Sequence, residues 1–138
     1  MTKPKGATSY KETSFGVLPR SKLLPLELAG TKKGLEYLHD LIKLHSKAAI
    51  SPNLICKLHD VSFGWIFPKW AGKYRTIQVT FSGKEAPPNY QVPKLVLNLC
   101  GDLLVRLAHL PNTRNEEFII KVVELVAWFQ HRFVFIHP

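Results

Sequence analysis

The sequence predicts a mostly α-helical bundle with one β-hairpin. Three observations carry that expectation. Apolar residues recur at helical spacing through long stretches of the second half, only Thr76–Phe81 alternates with period two, and the composition is that of a soluble globular protein. The 138 residues are 46% hydrophobic and 21% charged. A chain of that length buries roughly two-thirds of its unfolded surface, so a core is feasible.

Residues 1–30 carry Pro4, Pro19 and Pro25 with scattered glycines and no sustained period, which predicts a basic, irregular arm before a domain spanning 31–138. Thr31 is suited to cap a first helix through Leu35, Leu38, Leu41, Ile42 and His45 to about Lys47. Ser51-Pro52 opens a second helix, because proline at the first helical position gives up no needed N–H; Leu54, Ile55, Leu58 and Val61 follow, and Gly64 ends it. From Trp65 to Arg75 bulky aromatics alternate with breakers, predicting a packed loop. Thr76–Phe81 reads as a strand, Ser82-Gly83-Lys84 as a turn, and Glu85–Tyr90 as a poor returning strand whose Pro87 and Pro88 confine it to an edge. Pro93 starts a long helix to Leu110, and Asn115 caps a last one, with Glu116 and Glu117 at its positive end. Ile119, Ile120, Val122, Val123, Val126, Ala127, Phe129 and Phe133 make that last helix apolar on most sides, as befits a central helix.

Composition also bounds the function. No apolar run reaches the roughly 18–20 residues of a membrane span, and the N-terminus lacks the apolar stretch of a signal peptide, so no membrane partner and a cytoplasmic location are expected. Cys56 and Cys100, each in an apolar helical pattern without CxxC spacing, are expected as buried free thiols. Of the net charge of +9, residues 1–34 contribute seven Lys/Arg against two acids, or +5, so more than half of the excess lies in the leading segment, and no helical face concentrates Lys and Arg as a groove-reading helix would. Specific nucleic-acid binding is not expected. The six histidines are scattered without ligand spacing, and phosphate-loop and nucleophile-elbow motifs are absent, so no metal site is expected. His131 reads as an ordinary helix histidine, and no paired carboxylates stand out around Glu85 or Glu124.

The order of pieces is more telling. Leu58-His59 and Phe63-Gly64 in a helix, Trp70-Ala71-Gly72-Lys73-Tyr74-Arg75 entering a strand, Pro87-Pro88, a long helix, and then Phe135-Ile136-His137-Pro138 after an apolar helix together resemble the Fic/Doc (Fido) family over about residues 50–138. In that family a WAGxYR-like segment leads into a β-hairpin called the flap, and the closing motif reads HPFx(D/E)GNGR. The resemblance implies a Fido-type helical bundle whose C-terminal core helices are missing from this sequence. It implies a parent nucleotidyltransferase activity, AMPylation, in which AMP passes from ATP to a protein hydroxyl with Mg²⁺. His137 matches the motif histidine, the general base; a neutral imidazole suits that role because its ordinary pKa is about 6.5. Ile77, Val79 and Phe81 match the flap, which pairs with a target segment by strand addition. Trp70, Tyr74 and Arg75 are expected as scaffold.

The remainder of the motif would supply the Mg²⁺-holding acid, the phosphate nest and an arginine. A base alone contributes typically ~10²–10⁴-fold, so these 138 residues are expected to be inactive by themselves. An inhibitory (S/T)xxxE(G/N) motif is matched only loosely by Thr8–Thr13, and self-inhibition is not expected. The alternative is a catalytically dead helical module from a shortened gene, binding a protein through the flap edge or the basic arm. In either case the apolar last helix is expected to promote self-association.

Overall fold

The computed structural model describes residues 10–45 and 49–138, apart from the side chains of Tyr10 and Phe81. The start of the basic arm, with Lys3, Pro4 and Lys5, lies outside the described residues, as do Thr8 and Ser9 of the loose inhibitory match. The protein is mostly helical, with a short antiparallel hairpin where the flap is expected. It divides into two units, residues up to 48 with 53–73, and residues 49–52 with 74–138.

In the first unit, β1 (Tyr10–Thr13) and β2 (Gly16–Pro19) form a hairpin, and α1 (Arg20–Leu44) follows directly. The expectation of irregular chain up to residue 30 is therefore corrected for residues 10–30, and α1 starts eleven positions before the Thr31 cap. The reason is in the prolines and glycines. Pro25 is carried inside the helix in its second turn, at the expense of the amide bond to the Ser21 carbonyl, and the Thr31 hydroxyl donates to the Glu27 carbonyl at 3.0 Å as a mid-helix residue. Gly30 and Gly34 are buried contact points and not breakers: a Cβ at Gly30 would overlap the Ser62 carbonyl oxygen, and one at Gly34 the Ser62 hydroxyl.

These glycines let α1 lie backbone-close to α2 (Pro52–Phe63), which begins at its proline as predicted. After α2 the expected packed loop is present. Gly64, Ile66 and Phe67 turn back through hydrogen bonds to the Asp60 and Phe63 carbonyls, and Ala71 bonds Phe67. Ile66, Phe67, Ala71 and Leu23 make a small core, with Leu26, Phe63 and Trp65 against it. The β1–β2 turn is fastened to the same loop. The Ser14 amide donates to the Ile66 carbonyl at 2.8 Å, its hydroxyl donates to the Trp65 carbonyl, and Phe15 meets the Trp65 ring edge-on at 5.9 Å.

The second unit begins with the flap region. Its strands are shorter than predicted: β3 is Thr80–Phe81 and β4 is Lys84–Glu85, joined through Ser82 (φ 50°) and Gly83 (φ 75°), the two left-handed residues a two-residue hairpin turn requires. The expected strand residues 76–79 and 86–90 fall outside the ladder because Pro87 and Pro88 have no N–H to contribute. Side chains take over instead. Gln78 Nε2 donates to the Ala86 carbonyl at 2.6 Å and Asn89 Nδ2 to the Thr76 carbonyl at 3.2 Å, beside one backbone bond from Ala86 to Val79.

A helical turn at Asn89–Gln91 leads into α3 (Val92–Ala108), which buries Val92, Val96, Leu99, Cys100 and Leu103. Asn115 caps α4 (Glu116–Ile136) as predicted, its side-chain oxygen accepting from the Phe118 amide at 3.0 Å. The two helices meet where the Arg106 guanidinium lies 4.0 Å over the Trp128 ring. Among the residues of α4 only Ile136 is buried, while Ile119, Val123 and Val126 are each at least 60% exposed.

Candidate functional site

The site is built around Arg75. Its Nε donates to the His137 carbonyl at 2.7 Å and Nη2 to the Ile136 carbonyl at 3.3 Å, so the guanidinium grips the last turn of α4. Nη1 donates to the Ile77 carbonyl at 3.0 Å, and Nη2 also donates to the Pro87 carbonyl. One planar cation therefore holds both roots of the hairpin and the histidine at the helix end. Arginine suits this because its donors form a rigid fork that stays charged. The sequence assigns Arg75 to the scaffold; its four bonds, all to backbone carbonyls, join the two segments that carry the resemblance.

His137 ends α4 in the left-handed conformation, φ 50° and ψ 59°, with its amide still bonded to the Phe133 carbonyl at 3.1 Å. Its side chain is exposed, while Ile136 beside it is 5% exposed and Ala86 on the hairpin side 7%. The helix end is thus seated by an apolar residue and a guanidinium. Of the flap residues, Ile77 is 66% exposed and Val79 half-buried. Phe81 contributes backbone to β3, and its side chain lies outside the described ones.

Cys100 is buried, which pushes its thiol pKa up, and Cys56 is a partly buried free thiol. His131 is exposed on α4. Among the described residues no group of three or more His, Cys, Asp or Glu is placed to hold a metal, and no helix is long and apolar enough to cross a membrane. Among the described residues no donor set fitting ATP with Mg²⁺ is assembled around Arg75, whose four hydrogen bonds all point at backbone carbonyls. No chemical step is therefore routed through ATP or Mg²⁺.

Sequence reasoning gave no role to His59, whose Nδ1 accepts the Gly72 amide at 2.8 Å. The only signal for it was its place in the Leu58-His59 pair of the resemblance. A cleft of about 280 Å³ lies in the same unit, with Lys11, Glu12, Phe67, Lys69 and Trp70 on its walls. The Lys69–Glu12 ion pair at 2.8 Å crosses that wall, holding the Glu12 carboxyl below its usual range and the Lys69 ammonium above its own.

No family model matches the chain, and no curated protein matches it.

Proposed function

We propose that the chain carries the target-docking hairpin and the general base of a Fic-type AMP transferase, and that these 138 residues do not transfer AMP by themselves. The observation that supports this is the Arg75 clamp: residues from the WAGKYR segment, the hairpin and the FIHP segment, far apart in sequence, converge on one side chain. A base must be held at a fixed distance from the hydroxyl it deprotonates, and a docked strand must be held relative to that base. A guanidinium bonded to both supplies that geometry. In this reading the exposed Ile77 flank and the open hairpin edge receive the target segment, and His137 takes the proton of its hydroxyl. Phosphoryl-type chemistry depends on a phosphate nest and Mg²⁺ ligands, which in this reading the 138 residues do not supply, and so no transfer is expected of them.

Two measurements test this. Incubation of the purified chain with labelled ATP and a competent Fic target is expected to transfer no label; transfer abolished by His137→Ala overturns the claim of inactivity. Reading the coding DNA past codon 138 tests the family: Phe-x-Asp/Glu-Gly-Asn-Gly-Arg supports it, and an authenticated stop favours the second reading.

The exposed face of α4 favours that second reading, a helical protein-interaction module without catalysis. Ile119, Ile120, Val123 and Val126 are each more than half exposed on one helix. Elution larger than a monomer is expected; a monomer with a cooperative melt counts against it.

A further inference from the structure

We propose that His59 is an acid-operated latch: the neutral imidazole holds the Gly72 amide, and with it the Trp70–Lys73 segment, against α2, and protonation of the ring releases that segment. The inference stands apart from the AMP-transfer reading and rests on the first unit alone.

The geometry sets the protonation state that the latch needs. The Gly72 N–H donates to His59 Nδ1 at 2.8 Å, so Nδ1 carries a lone pair and the ring proton sits on Nε2. An imidazolium bears a proton on both nitrogens. Its Nδ1–H would face the Gly72 N–H, and an accepted bond would become a clash of two donors. The backbone has little room to turn away while staying packed. Gly72 is left-handed at φ +77°, and a Cβ built there would lie 2.7 Å from the Asp60 Cβ and 3.2 Å from the Cys56 carbonyl oxygen. The segment therefore lies flat on one face of α2, and only glycine fits there. The Phe63 ring meets the imidazole at 5.3 Å and Trp70 at 5.9 Å, and Trp70 in turn stacks on Phe67 at 4.4 Å.

The charges around the ring divide as follows. Burial disfavours the imidazolium and is the larger influence, while the neighbouring Asp60 carboxylate on the same helix favours it. Lys57 is the other charged residue within three positions on α2. From the loop, the Lys69 ammonium is bonded to Glu12 of β1 at 2.8 Å and the Lys73 ammonium to the Lys69 carbonyl at 3.3 Å. Lys11 of β1 stands over Phe67, and Lys33 of α1 over Trp65. The net result holds the His59 pKa below its usual value. With the folded pKa depressed, the latch contributes stability above the unfolded value of about 6.5 and loses it as pH falls through the folded value.

The test is nitrogen-15 NMR on the whole chain, from about pH 8 down to about pH 5. At the upper end the Nε2–H tautomer is expected. The Gly72 amide resonance should follow the His59 titration with a midpoint below 6.5, and its exchange protection, corrected for intrinsic rates, should fall by up to about tenfold per pH unit between about 6.5 and that midpoint and level off below it. His59→Asn places a non-titrating oxygen near the Nδ1 position, and there Gly72 should stay protected with no such pH dependence. An Nδ1–H tautomer, a Gly72 amide indifferent to the His59 titration, or the same pH dependence in His59→Asn overturns the latch. Should the variant fail to fold, the tautomer and the coupled titration in the natural chain decide.

Discussion

The two units handle their helices by opposite means. In the first, α1 and α2 approach until backbone meets backbone, with Gly30 and Gly34 against Ser62, and a turn-rich loop supplies the bulk of the core. In the second, α3 buries Val92, Val96, Leu99 and Leu103 while Leu97, Leu104 and Val105 stay exposed, and α4 buries only Ile136 and leaves Ile119, Ile120, Val123 and Val126 in solvent. Small residues in contact specify geometry with little apolar area, whereas large exposed residues offer area without a partner. Stability in the first unit should therefore depend on shape, and behaviour of the second on what its surface meets.

The largest expected effect tests the first half of that contrast. Phe67 is 3% exposed in a core of only four buried residues, so Phe67→Ala should cost about 3–5 kcal/mol in chemical denaturation. Gly30→Val is next. It adds methyl groups where a single Cβ already overlaps the Ser62 carbonyl, and should cost about 1–3 kcal/mol although valine is the better helix former. A stabilised variant would show that the helices are free to separate.

Arg75→Ala acts locally in the second unit. Leaving the Pro87 and Ile136 carbonyls without their cation should loosen the hairpin, read as amide exchange at Ala86 faster by tenfold or more while the first unit's melt is unchanged. Unaltered exchange at Ala86 would mean that Gln78 and the two-residue turn suffice. The smallest effect on stability belongs to Ile120→Lys with Val126→Lys. Both positions are at least half exposed, so the melt should move by less than about 0.5 kcal/mol per site, while any self-association is reduced.

Much of this was legible where a signal is local. The Asn115 cap, the acidic first turn of α4, Pro52 at the start of α2 and the aromatic loop after Gly64 each depend on neighbours within a few residues. What was not legible depends on distant partners. Gly30 and Gly34 look like interruptions until Ser62, about thirty residues on, is seen to need the space. The N-terminal hairpin is held by Ser14 on the carbonyls of Trp65 and Ile66, fifty-one residues away in one case, and its own residues carry little strand pattern. Arg75 is expected as scaffold, but nothing near it in the sequence shows that what it holds is a helix end sixty-two residues later. The His59–Gly72 bond spans thirteen residues and joins a helix to a loop, a pairing that no periodicity describes.

The three tryptophans are so placed that each unit carries its own optical reporter. Trp65 lies under the Lys33 ammonium at 4.4 Å and donates its indole N–H to the Ser62 carbonyl, Trp70 stacks on Phe67 beside the latch, and Trp128 lies under Arg106. Indole emission shifts with nearby charge and with solvent. Trp128→Phe would silence the second unit, leaving fluorescence that follows only the glycine-packed helices and the loop above them.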